Sequence, residues 1–202
     1  MIPELYYSLE AGAKAPVRAS VDASGFDLFA HEDTAIEPGR TVLVSTGVRL
    51  AIPIGFEAQV RPRSGLSLRT RLRVANSPGT IDADYRDLVS VVFENTASLT
   101  DPYSYLQEHP ELIDSFNQHY HPVDMAHFFR ERQGLLLPFG LPDMKVYLDG
   151  EGHPLGTIFI KSGERIAQLV FAKVEFPELI QVDDVSLIGN DRGGGFGSTG
   201  RV

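Results

Sequence analysis

The chain reads as an all-β fold, an antiparallel barrel or sandwich, interrupted by a partly helical excursion. Three observations carry that reading. Through residues 20–95, short runs rich in Val, Leu and Phe are separated by Pro- and Gly-bearing breaks, with no helical period between them. The 202 residues suffice for one domain with a real core, and with no Cys no disulfide is needed or available. Residues 97–155 differ from the rest: they hold nine acidic against three basic residues, five of the six His, and eight of the nineteen Phe and Tyr. Most of the net charge of −9 therefore sits in a segment whose composition sets it apart.

Each element follows from local chemistry. Strands are expected over Val42 to Val48, Glu57 to Val60 and Leu88 to Phe93, broken at Pro38-Gly39, at Pro53 with Gly55, and at Pro78-Gly79. After Asp101, a cap followed by Pro102 at the first helical position, a short helix is expected. Pro110 opens another, with Leu112, Ile113, Phe116 and Tyr120 on one face. Pro122 opens a third, with Met125, Phe128 and Phe129 together and Gly134 as its stop. Lys145 to Leu148 and Leu155 to Ile160 then read as a hairpin across Asp149 to Gly152. Residues 156–174 add two strands around a Ser-Gly turn.

Composition excludes several functions. An acidic chain is a poor general coat for nucleic acid, which calls for a basic face. No apolar stretch nears the ~18 residues of a membrane span. Without Cys there is no thiolate metal site and no cysteine nucleophile. The N-terminus, MIPELYYSLEAGAKAP, lacks a basic flank followed by an apolar run, so a cytoplasmic protein is expected.

Five segments carry candidate chemistry. The first is Ala23-Ser24-Gly25-Phe26-Asp27-Leu28, where Asp27 is a site carboxylate or a buried partner for backbone groups. The second, Arg61 to Ser67, opens a concentration of arginines at 61, 63, 69, 71 and 73. That density marks either a local anion site or a solvated strand face, and Ser64-Gly65 tilts it toward phosphate because a small turn lets backbone donors approach. The third runs from Asn76 to Arg86. On a strand its Asp82 and Asp84 would share a face and repel; one is a water-activating base, or both are solvated turn residues. Asn76 reads as a site amide or an Asx turn, and Tyr85 as a site ring or a cross-strand packing residue. The fourth is Gly163 to Leu169, with Gln168 polar on a strand. The fifth, Arg192 to Gly200, is either a flexible Gly-rich terminus or an incomplete phosphate cradle in which Ser198 and Thr199 donate and Phe196 stacks on a flat ring.

Taken in this order, the five segments resemble the five motifs of the trimeric deoxyuridine triphosphatases (dUTPases). The resemblance runs from about Ala11 to Asn95 and resumes from about Ile160 to Gly200. It implies a β-barrel or jelly-roll subunit in a homotrimer with shared active sites. It also implies cleavage of dUTP to dUMP and pyrophosphate, which limits uracil incorporation into DNA and supplies dUMP for dTMP synthesis. By that resemblance Asp82 holds and deprotonates the attacking water, and Mg²⁺ rides on the triphosphate, so no protein ligand set is expected. Asn76, Gly79, Thr80 and Ile81 read uracil, and the Tyr85 ring packs under deoxyribose. Arg63, Ser64, Gly65 and Gln168 hold phosphates, while Asp27 organises the site. Phe196 and Gly197 cover the base, and Arg192, Ser198 and Thr199 close over the β- and γ-phosphates.

The chain departs from the family in three places. Arg192 stands one position nearer to Phe196 than is usual, and Asp87 occupies a position where Gly is common. Residues 97–155 replace a short hairpin turn. The expected organisation is a single domain over 1–202, with 97–155 inserted and a Gly-rich C-terminal arm over 190–202. The histidines of the insertion, including His119, His121 and His127, lack the register of a metal site and read as solvated or packed. Acidity and aromatics make the insertion a candidate surface for a protein partner. Two other readings remain: a deoxycytidine triphosphate deaminase, which would need a Glu near the base where this hairpin has Ile81-Asp82-Ala83-Asp84, and an interaction protein acting through the insertion.

Overall fold

Alternating burial lays out most strands of the computed structural model, which describes residues 4–138 and 143–190. In chain order they are β1 (Tyr6–Leu9), β2 (Gly25–Phe29), β3 (Thr34–Ile36), β4 (Thr41–Ala51) and β5 (Phe56–Pro62). A short helix, α1 (Ser64–Arg69), leads into β6 (Leu72–Val74), β7 (Gly79–Ile81) and β8 (Leu88–Asn95). Then come α2 (Pro102–Glu108), α3 (Phe116–His119), β9 (His121–Asp124), α4 (Met125–Gln133) and β10 (Lys145–Leu148). The chain closes with β11 (Ile158–Ile160) and β12 (Arg165–Lys173).

Two four-stranded antiparallel sheets, ordered β1-β4-β8-β6 and β2-β12-β5-β7, hold one core between them. In β8 the residues Val89, Val91, Phe93 and Asn95 point in while Leu88, Ser90, Val92 and Glu94 lie toward the surface, the period-2 pattern of a strand covered on one face. Leu28, Val60, Ile166 and Leu169 meet Val44, Val91 and Phe93 from the opposite sheet. Both sheets stay open, so the architecture among the described residues is a sandwich and not a closed barrel. A two-stranded ribbon of β3 and β11 adds Ile36 and Ile160 to the core.

A bulge between Ser45 and Val48 bends β4. Gly47 occupies it at φ +66°, and a Cβ there would stand 2.5 Å from the Ala13 Cβ and 2.9 Å from His31 Nδ1, so both the conformation and the space require glycine. Buried Thr46 donates to the Val89 carbonyl at 2.6 Å and ties the bulge to β8.

The segment 97–155 leaves and rejoins this sandwich at one point. Fully buried Asn95 donates through Nδ2 to the carbonyls of Ile36 and Gly156, both at 2.9 Å, and accepts from the Ala97 amide at 3.0 Å. Its α2 is capped as expected, with Asp101 accepting from the amides of Tyr103 and Ser104. Phe128, Val146 and Leu155 are buried within the segment and stand apart from the sandwich core. Ion pairs Arg71–Glu108 and Arg132–Glu37 join the segment to the body.

Three local expectations change here. Pro122 lies in β9 and not at a helix start; the helix begins at Met125 and ends at Gly134. Residues Lys145 to Leu148 pair along their length with β9, touching the Leu155 side only through a bridge from Leu148 to Pro154, while Ile158–Ile160 pairs with β3. Lastly, the residues after Arg63 form α1 where a turn was expected. Among the described residues no helix is long and apolar enough to cross a membrane.

Candidate active site

The sheet β2-β12-β5-β7 carries the site residues, and its register decides which of them meet. Asp27 of β2, Gln168 of β12 and Arg61 of β5 form one cross-strand row. Asp27 is only 5% exposed, and its carboxylate lies between two guanidinium groups. Arg63 Nε stands 3.4 Å from Oδ1, and Arg165 Nη1 stands 3.2 Å from Oδ2. A buried carboxylate needs such partners, because an unpaired charge away from water costs several kcal/mol. Arg63 Nη1 also donates to the Arg165 carbonyl at 2.8 Å. Ser64 and Gly65 follow directly as the first residues of α1, whose opening amides have no intrahelical acceptors.

The dense arginines do not form one anion site. Arg61 is held by the Gln59 side chain, Arg71 by Glu108, and Arg73 by the carbonyls of Ser67, Thr70 and Leu72. Of this cluster Arg63 joins Asp27, opposite Arg165 of β12. Glu108 lies 37 positions away, so local density could not reveal this division.

A second cluster surrounds the hairpin after β6. A cavity of about 510 Å³ is lined by Asn76, Gly79, Thr80, Ile81 and Tyr85, all five on the expected list. Its size is that of a small-molecule pocket. Gly79 permits the close packing here: a Cβ would stand 3.1 Å from Asn76 Nδ2 and 3.5 Å from the Val60 Cβ. Strand β7 is the outer strand of its sheet, so the backbone groups on its far edge are available to a ligand with base-pairing edges. The Tyr85 hydroxyl donates to the Leu88 carbonyl at 3.0 Å, which fixes a ring that remains 40% exposed.

Asp82 and Asp84 do not share a strand face. Strand β7 ends at Ile81, and both aspartates are exposed in a turn closed by the Tyr85 amide bonding to the Asp82 carbonyl at 3.2 Å. Arg86 braces this turn by donating to the carbonyls of Ala83 and Tyr85 at 2.6 and 2.7 Å.

The second cluster runs along β5, with Gly79 level with Val60, beside the Arg61–Gln168 row, and the Asp82 turn at the other end. Val60 pairs with Gly79 and Ala58 with Ile81, so Asp82 falls level with the start of β5 while Arg63 to Gly65 follow its end. At ~3.3 Å per residue that separates Asp82 from Ser64 by roughly 20 Å along the strand. One chain thus brings Asp27, Arg63 and Gln168 together and holds Asp82 apart from them. Arg192, Phe196, Gly197, Ser198 and Thr199 lie outside the described residues. Arg165 and Arg86 were missed as site residues; the signal for Arg165 was its place in the Gly163 to Leu169 motif.

Among the described residues no group of three or more His, Asp or Glu is placed to hold a metal ion. Arg63, Ser64 and Gln168 are donors suited to phosphate oxygens. That donor set fits an ion brought in on a polyphosphate.

Comparison with known proteins gives a consistent result. A family model described as dUTPase matches residues 11–100. The deoxyuridine 5'-triphosphate nucleotidohydrolase of Mycobacterium tuberculosis (strain H37Rv) is 33% identical over 196 residues, covering 95% of this chain and 91% of the relative. That of Chlamydia caviae is 52% identical over 94 residues, 46% of this chain, and the match spans under two thirds of the relative's length, 64%. A mutant of the Staphylococcus bacteriophage 80alpha dUTPase, solved with dUpNHpp, superposes with a TM-score of 0.68 at 25% identity, covering 98% of this chain and 99% of that one.

Proposed function

Because the chain belongs to the dUTPase family, we propose that it hydrolyses dUTP to dUMP and pyrophosphate. The observation that carries the proposal is the cavity beside β7, which gathers Asn76, Gly79, Thr80, Ile81 and Tyr85 around an unpaired strand edge. Backbone groups of that edge and the Asn76 amide hydrogen-bond the uracil. Tyr85, anchored through its hydroxyl, packs flat under the deoxyribose and leaves no space for a 2′-hydroxyl.

Asp82 holds the water. Its carboxylate accepts a proton as the water oxygen bonds to the α-phosphorus, and the bond to the α,β-bridging oxygen breaks to release pyrophosphate. Arg63, the opening amides of α1 and Gln168 hold the phosphates, with Asp27 organising the arginine. Mg²⁺ carried by the triphosphate would screen its charge, with Arg63, Ser64 and Gln168 holding the phosphate oxygens around it. From the C-terminal arm, Arg192, Ser198 and Thr199 close over the β- and γ-phosphates, and Phe196 with Gly197 covers the base.

The complete site is shared between copies in a homotrimer. The roughly 20 Å between Asp82 and Ser64, from strand rise and register, supports a base donated by one copy and phosphate donors by another. The segment 97–155 is an insertion that offers a protein partner an acidic surface with Tyr103 and Leu136 exposed. A pull-down lost on removing 97–155, with hydrolysis intact, is the expected result for that role.

The decisive measurement is pyrophosphate release from dUTP with Mg²⁺. Asp82→Asn is expected to lower turnover ~10²–10⁴-fold, the range of a general base. Equal rates in wild type and variant would remove Asp82 from its role, and ammonia release from dCTP would replace the hydrolase with a deaminase.

A further inference from the structure

The bulge in β12 has placed two groups of one residue on the phosphate-binding cluster. Register runs Arg165 opposite Phe29 and then Ala167 opposite Leu28, so Ile166 is the extra residue. Both Ile166 and Ala167 are buried, and the alternation turns Arg165 outward onto the face of Gln168 and Asp27. There its side chain meets Asp27 Oδ2 at 3.2 Å, while its carbonyl accepts from Arg63 Nη1 at 2.8 Å.

We propose that Arg165 is a positioning residue that, through Asp27, keeps the Arg63 guanidinium turned toward the phosphates; this rests on the hydrolase reading above. Arg63 has three nitrogens. Nε goes to Asp27 Oδ1 and Nη1 to the Arg165 carbonyl, and Nη2 has no hydrogen-bond partner among the described residues. Arg165 satisfies the second carboxylate oxygen. Without it, Asp27 is a buried anion with one cation in reach, and a guanidinium fork matches a carboxylate through two parallel bonds. Arg63 then turns inward to take both oxygens and withdraws Nη2 from the substrate. Loss of Arg165 is therefore expressed through Arg63, a residue the substrate touches.

Double-mutant cycles read by titration with dUpNHpp, with pyrophosphate release alongside, test this coupling. Arg165→Gln is expected to weaken binding roughly tenfold, and the pair Arg63→Gln/Arg165→Gln to bind no more weakly than Arg63→Gln alone. Losses that multiply, or unchanged binding in Arg165→Gln, overturn the proposal. A second cycle holds even where Arg165→Gln alone does not fold. Asp27→Asn removes the charge that would capture Arg63, so adding Arg165→Gln to it is expected to change binding less than about threefold. A further tenfold loss there would mean that Arg165 contacts the nucleotide itself, and the proposal fails. Wild type that binds dUpNHpp but releases no pyrophosphate from dUTP overturns the hydrolase reading and leaves both cycles readable; wild type that binds none overturns both.

Discussion

At the scale of single residues, the most consequential positions are small or polar, and each is set by what crowds it. Gly47 accepts a left-handed conformation under the Ala13 and His31 side chains. Gly47→Ala is expected to cost about 2–4 kcal/mol, from the conformation and the clash together, seen as a lowered midpoint in denaturant unfolding. Asn95 acts differently, through three bonds from a fully buried side chain. Asn95→Ala leaves the Ile36 and Gly156 carbonyls and the Ala97 amide unpaired, and about 3 kcal/mol of destabilisation is expected in the same measurement. Sequence could point to Gly79, because it sits in a motif, but not to Gly47 or Asn95. Their constraints come from residues tens of positions away.

Among the elements, α2 is tied to pH by a carboxyl at each end. The Arg71 hydrogen bond holds the Glu108 carboxyl below its usual range, and bonds from Ser104 do the same for Asp101. A carboxyl whose folded value is depressed stabilises fully above its unfolded value, near ~4, and loses that contribution as pH falls through the lower folded value. Amides of α2 are therefore expected to lose hydrogen-exchange protection below about pH 4 while those of β8 keep theirs. Glu108→Gln should show the weaker α2 protection already at neutral pH; unchanged protection would mean the ion pair does not hold the helix. The strands of the sandwich were legible because alternation and turn residues act locally. The β9–β10 pairing was not, since a four-residue strand carries no mark of its partner. The arginines of 61–73 were legible as a cluster and illegible as individuals, because Gln59, Glu108 and the α1 carbonyls each claim one. Of the two readings of Asp82 and Asp84, the structure shows the exposed turn, because β7 stops at Ile81.

For the whole molecule, the distance between the two halves of the site makes a test of assembly possible. Arg63→Gln and Asp82→Asn are each expected to be nearly inactive alone. Refolded together in equal amounts, they should recover about a quarter of the sites under the proposed arrangement, in which a site takes Arg63 from one copy and Asp82 from another. No recovery would place both residues in one chain's own site. The junction at Asn95 bears on a different matter, the order of folding. The 59 residues from 97 to 155 run between β8 and β11, yet the Asn95 amide binds Ala97 and Gly156, one at each end of that stretch. Closing so long a loop costs about 2 kcal/mol more than closing a four-residue turn, if the loop is slack at that moment. Contacts within the segment, such as Phe116 against Tyr147 and β9 against β10, shorten the slack before β11 arrives. Shortening 97–155 to a turn is therefore expected to change the refolding rate through the docking of β11 and β12, with stopped-flow refolding as the measurement.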